Sequence, residues 1–248
     1  MRKKLIYSFV ALQALFLAFQ ASAYAEPIVG VTLGDGSEPV GASALSLLLL
    51  ITILSLAPAI LVLMTSFTRI VIVLGFVRTS LGTQQMPPNQ VLIGLALFMT
   101  MFVMAPTFSQ VNETALKPYL ANKITQTEAL QKASIPMKEF MYKHTRPKDL
   151  LLFMNYTKTE KPETYKDIPI TVLVPAYAIS ELKTAFQMGF MIFIPFLVID
   201  MVVASTLMAM GMMMLPPVMI SLPFKILLFV LVDGWYLVVK SLLTSFST

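Results

Sequence analysis

Hydrophobic positions in this chain gather into long blocks with few polar interruptions. The first block runs from about Ala42 to Phe67, with Pro58 inside it as an expected kink. An apolar continuation, Arg69 to Leu81, carries Arg69 and Arg78. The run Gln84-Gln85-Met86-Pro87-Pro88-Asn89 then breaks the pattern. A second block spans about Gln90 to Phe108, with Pro106 near its end. A third spans about Ala185 to Met214, interrupted by Pro195, and a fourth about Pro223 to Leu243. Each approaches the roughly 20 residues that cross a bilayer as a helix.

A polar region over 111–170 separates the second block from the third. Helix-like stretches occur at Thr127 to Lys132 and Met137 to Lys143, and Phe140 and Leu150 to Met154 supply apolar faces. The pattern predicts an all-α membrane protein. It has a first kinked helical hairpin over 42–110, a helical extramembrane insertion over 111–174 and a second hairpin over 175–248. Residues 1–25 read as a cleaved signal peptide, with a basic start at Arg2, Lys3 and Lys4, a short apolar core and small residues at Ala21, Ala23 and Ala25. Residues 26–41 read as an exposed amino-terminal arm. A cleaved signal and the basic residues Arg69 and Arg78 agree on one orientation, with the connection between the first two blocks cytoplasmic.

Composition supports the membrane class. The chain is 57% hydrophobic and only 12% charged, against roughly 25% charged in soluble domains. Of the formal charge of +5, three units belong to the signal segment, so nothing points to nucleic acid. One histidine, His144, and no cysteine leave little for a metal site or a nucleophile–base pair. No phosphate-binding glycine loop is present. No enzyme activity and no cofactor is implied. His144, beside Lys143 and Arg146, reads as a surface residue.

Charges inside apolar blocks are costly and normally pair. Asp200 lies in the third block and Lys225 opens the fourth, while Glu181 and Lys183 share a helix-compatible stretch. Pairing of these groups in assembly is the reading favoured over proton relay by Asp200. Arg69 reads as a cytoplasmic flank. Prolines in or near the blocks require that protein or water satisfy the broken backbone, which favours oligomers around an aqueous path.

Met210, Gly211, Met212, Met213, Met214 and Leu215 precede Pro216 and Pro217, a pair that no helix continues through. Flexible thioethers at such a turn either fill a hairpin core or, repeated around an axis, close a hole that can still yield.

Three stretches carry a family resemblance: Pro175 to Phe190 (PAYAISELKTAFQMGF); Met210 to Pro217 with Leu222 to Ile226 and Leu231 to Trp235; and Thr65 to Ile70 with Gln84 to Gln90. They resemble the FliP/SctR family, the export-gate proteins of flagellar and virulence-type secretion, and the signal and the Asp233-Gly234-Trp235 ending resemble the flagellar branch. The resemblance implies a five-subunit ring in the bacterial inner membrane and flagellar basal body, built as a helical stack of hairpins. FliR-like and FliQ-like subunits join the ring, and FlhA-like and FlhB-like export proteins work with it. Unfolded flagellar subunits pass through the centre. It further implies that Met210, Met212, Met213 and Met214 form a gasket across the pore. A passive scaffold and a small-solute transporter are the rival classes. The transporter would show matching breaks in two halves, and none is evident.

Overall fold

The computed structural model describes residues 48, 51–52, 55–56 and 58–247, except 84, 159–161, 163, 213 and 214. The signal segment and the amino-terminal arm lie outside the described residues. The chain divides into two units, 1–55 and 56–248. Described residues of the first are helical, with Thr52 Oγ1 donating to the Leu48 carbonyl and Ser55 Oγ to that of Thr52.

In the second unit α1 covers Pro58–Met64 and α2 Phe67–Leu81. Then come α3 (Asn89–Val111), a π-helical turn (Asn112–Leu116) and the short α4 (Lys117–Leu120). The polar region supplies α5 (Gln126–His144) and α6 (Pro147–Thr157). The carboxyl-terminal part is α7 (Ile170–Ala209), α8 (Pro217–Leu231) and α9 (Gly234–Thr244). No strand occurs among the described residues. Asn89–Leu120 and Ile170–Ala209 are each long and apolar enough to cross a membrane. The pairs α1–α2 and α8–α9 qualify as two more if each bent pair is one span.

Local sequence sets the ends of these helices. Thr125 and Glu128 form a reciprocal capping box at the start of α5, satisfying two amide donors that the first turn leaves open. Pro147 and Pro217 sit in the first turns of α6 and α8, where a missing amide hydrogen costs nothing. Gly82 closes α2 in the left-handed region at φ 76°, a conformation that glycine adopts without penalty.

The breaks differ from the expected ones. α1 and α2 are bent by 80° at Thr65–Ser66, where no proline stands, and the expected kink at Pro58 lies at the edge of the described residues. Pro195 does not interrupt the third block, because α7 runs for 40 residues through both Pro175 and Pro195. It also begins at Ile170, ahead of the expected boundary at 175. A proline removes one helical hydrogen bond, and a long helix with many others survives that. The fourth block divides at Val232–Asp233 with a 63° bend, not at Pro223, and Asp233 lies in the left-handed region at φ 52°.

Two apolar clusters hold the unit together. In the first, Ile70, Val73, Leu74 and Val77 of α2 pack with Leu92, Ala96 and Met99 of α3, Ala185 and Phe196 of α7, Phe229 of α8 and Leu242 of α9. In the second, Met104 of α3 meets Phe140 and Met141 of α5, Met154 of α6 and Val172, Leu173 and Tyr177 of α7. α5 and α6 are thus fixed to α3 and α7, as their apolar faces suggested. By contrast, only 11% of the most apolar window of α7 is buried.

Candidate functional site

The methionine turn is built by helix-capping geometry. The Met212 amide donates to the Leu207 carbonyl at 3.0 Å, and the Gly211 amide to that of Met208 at 3.0 Å. Gly211, at φ 77°, supplies the left-handed residue that this double closure requires. Pro216, extended at ψ 115°, then delivers the chain into α8, with Pro217 as its first residue. Both prolines therefore act at the break, where their chemistry placed them. Met210 is 62% exposed and Met212 38% exposed. Met213 and Met214 lie outside the described residues. Met208 and Met219 stand exposed on the two flanking helices.

Further down this hairpin Asp200 of α7 meets Lys225 of α8. Lys225 Nζ donates to Asp200 Oδ2 at 2.6 Å, and Ser221 Oγ to Asp200 Oδ1 at 2.5 Å. Lys225 and Ser221 are buried, while the Asp200 side chain keeps 23% of its exposure. Two donors on one carboxylate offset much of the cost of removing it from water.

Glu181 has a different partner from those expected. Arg69 of α2 donates through Nε to Oε2 at 2.8 Å and through Nη2 to Oε1 at 2.5 Å. Its Nη1 donates to the Ser245 carbonyl at 2.9 Å and to Ser245 Oγ at 3.0 Å. The Phe246 ring lies 3.9 Å from the guanidinium carbon. Arg69 and Glu181 are both buried. The expectation of a cytoplasmic flank at Arg69 is corrected, since this arginine binds α2, α7 and the carboxyl-terminal turn together. Residue type favours the role, because a planar guanidinium matches a carboxylate with two parallel bonds. The signal was present in the sequence. Arg69 stands four residues before Val73 and so shares the α2 face that enters the core. Beside it, the Tyr177 hydroxyl donates to the Thr65 carbonyl at 2.8 Å, at the α1–α2 bend. Lys183 is exposed and pairs with no carboxylate among the described residues.

A third polar knot ties the insertion to α7. Arg146 Nη2 donates to Asp149 Oδ2 at 2.6 Å, Ser180 Oγ to the same oxygen at 2.6 Å, and the Arg146 amide to Ser180 Oγ at 3.0 Å. Burial works hardest on Asp149 and favours its neutral form. The hydrogen bonds from Ser180 and Arg146, with the charges of Arg146 and Lys183, outweigh it and hold the carboxyl below its ordinary value. His144 is half-buried against Phe140 and Phe246, not on the open surface. No group of three side chains suited to a metal ion occurs among the described residues.

These features define an all-helical membrane protein whose bent hairpins are fastened by buried ion pairs and end in a methionine turn. Residues 50–242 match the FliP family, and the chain belongs to that family. A Bacillus subtilis protein named Flagellar biosynthetic protein FliP is 72% identical over 217 residues, covering 87% of this chain and 98% of its own length. The protein of the same name from Caulobacter vibrioides is 53% identical over 226 residues, covering 91% and 85%. That from Aquifex aeolicus is 47% identical over 222 residues, covering 89% and 92%.

Proposed function

We propose that this chain is a pore-forming subunit of the flagellar protein-export gate in the bacterial inner membrane. Copies of it form a five-membered ring, joined by FliR-like and FliQ-like subunits and served by FlhA-like and FlhB-like proteins. Unfolded flagellar subunits pass through the centre. The names of its relatives support the flagellar role. The single observation that carries the gate is the methionine turn. It leaves Met210 and Met212 exposed at the hairpin tip among the described residues.

Thioether side chains exclude water without a fixed shape, so one seal can re-form around varied cargo. Apolar constrictions also block ions by losing water. In this reading Met210, Met212, Met213 and Met214 of each copy meet on the ring axis, and Pro216 and Pro217 fix the turn that presents them. The Asp200–Lys225 and Arg69–Glu181 pairs keep each hairpin rigid enough to hold the ring, and Lys183 is free to pair across subunits.

The test is small-solute leakage in cells carrying Met212→Ala, Met213→Ala and Met214→Ala together. The expected result is increased leakage with export less affected. Leakage no greater than in the parent strain contradicts the seal.

A further inference from the structure

A small cavity between α3 and α5 is lined by His144, whose Nε2 has no internal partner, and by Thr107. The cavity has a volume of about 190 Å³ and is lined in part by Pro106, Thr107, Gln110, Glu139 and His144. His144 Nδ1 lies 2.8 Å from the Phe140 carbonyl. A carbonyl only accepts, so Nδ1 carries the hydrogen, and in the neutral ring Nε2 is left as an acceptor. That Nε2 is buried without a partner. Thr107, a largely buried residue of the same wall, makes no side-chain hydrogen bond among the described residues. Leaving His144 Nε2 unsatisfied costs about 1–3 kcal/mol, which a bound donor would recover. The amide of Gln110 adds both donors and an acceptor at the same wall.

An exposed apolar track leads into this cavity. Phe98 and Phe102, at 76% and 72% exposure, stand four residues apart on α3, and Pro106 and Gln110 continue the series. That spacing places all four along one side of a helix. The same helix belongs to a segment apolar enough to span a bilayer. A molecule that fits both parts has hydroxyl groups at one end and hydrocarbon at the other.

We propose that the cavity binds a glycerol-bearing phospholipid headgroup. One hydroxyl donates to His144 Nε2, another exchanges hydrogen bonds with Thr107 and Gln110, and an acyl chain lies along Phe98 and Phe102. The volume suits this load, since a water occupies about 30 Å³ and a glycerol a few times that. The site is independent of the export reading and of the methionine turn.

The full chain, purified in detergent, is titrated with dioleoylphosphatidylglycerol and with dioleoylphosphatidylethanol, which carries the same charge and tails without the hydroxyls. Retained lipid is counted by native mass spectrometry. The glycerol lipid is expected to be held roughly tenfold more tightly, the worth of one or two recovered hydrogen bonds. Thr107→Val, which keeps the side-chain shape, and His144→Phe are each expected to erase most of that preference. Circular dichroism confirms that both variants remain helical. Equal retention of the two lipids, or a preference that survives both substitutions, overturns the proposal. Free glycerol that raises the melting temperature as much as the glycerol lipid does at equal occupancy also overturns it, in favour of a soluble polyol.

Discussion

The Phe76 ring of α2 lies against the bare α-carbon of Gly189 on α7. A β-carbon built there would come within 2.4 Å of the ring atoms Cγ and Cδ2. The ring also meets Phe186 of α7, edge-on at 5.4 Å between centroids. Phe76 can make room for a methyl group only by giving up part of these contacts with α7. Gly189→Ala is expected to push α2 and α7 apart, at a cost of about 1–3 kcal/mol. Thermal unfolding in detergent should show a lowered midpoint, partly restored by Phe76→Leu. An unchanged midpoint would mean that the two helices accommodate the methyl group.

Arg69 and Glu181 predict a strong asymmetry between single and double substitution. Removing one partner strands a buried charge, so Arg69→Met or Glu181→Gln is expected to destabilise by about 3–5 kcal/mol. The double replacement Arg69→Met with Glu181→Met removes both charges and is expected to cost less than the worse single change. Denaturant unfolding of the three variants checks this, and simple additivity of the two losses would refute it.

The Asp200–Lys225 pair should respond more mildly. Asp200 retains partial exposure and keeps Ser221 as a donor when the lysine is lost. Lys225→Met is therefore expected to destabilise less than Arg69→Met when unfolding is followed under the same conditions. A loss equal to or greater than that of Arg69→Met would contradict the difference in burial.

Asp149 sets an acid limit. Its carboxyl is held below the ordinary aspartate value, so the folded state favours the ionised form. Its contribution is fully present above the unfolded aspartate pKa of about 3.9 and is lost as pH falls through the lower folded value. Asp149→Asn should lower stability at pH 7 and flatten the fall in stability below about pH 4. An identical acid profile in the two proteins would remove Asp149 from that role.

The membrane class, the spans at α3 and α7 and the proline-directed turn before α8 were legible in the sequence, because each rests on local pattern. Apolar runs mark the spans, and two adjacent prolines forbid continuation whatever surrounds them. The partner of Glu181 was not legible in the same way, since Arg69 lies 112 residues away in the chain. Helical phase on α2 pointed Arg69 inward but could not name what it would meet. Proline was a poor guide to the bends. α7 crosses Pro195 intact, while the turns at Thr65–Ser66 and Val232–Asp233 occur where no proline stands. His144 looked external because its sequence neighbours are charged. Its exposure is decided by Phe246, which arrives from the far end of the chain.

The length of α7 has a consequence of simple measurement. Forty residues at 1.5 Å each make a rod of about 60 Å, twice the roughly 30 Å depth of a bilayer's oily interior. Even strongly tilted, such a rod leaves several turns of greasy surface beyond the reach of lipid tails. Water would penalise that surface, and along the carboxyl-terminal half of the rod its own chain leaves most of it bare. The overhang is a standing demand for neighbours, written into a single helix before any second molecule arrives.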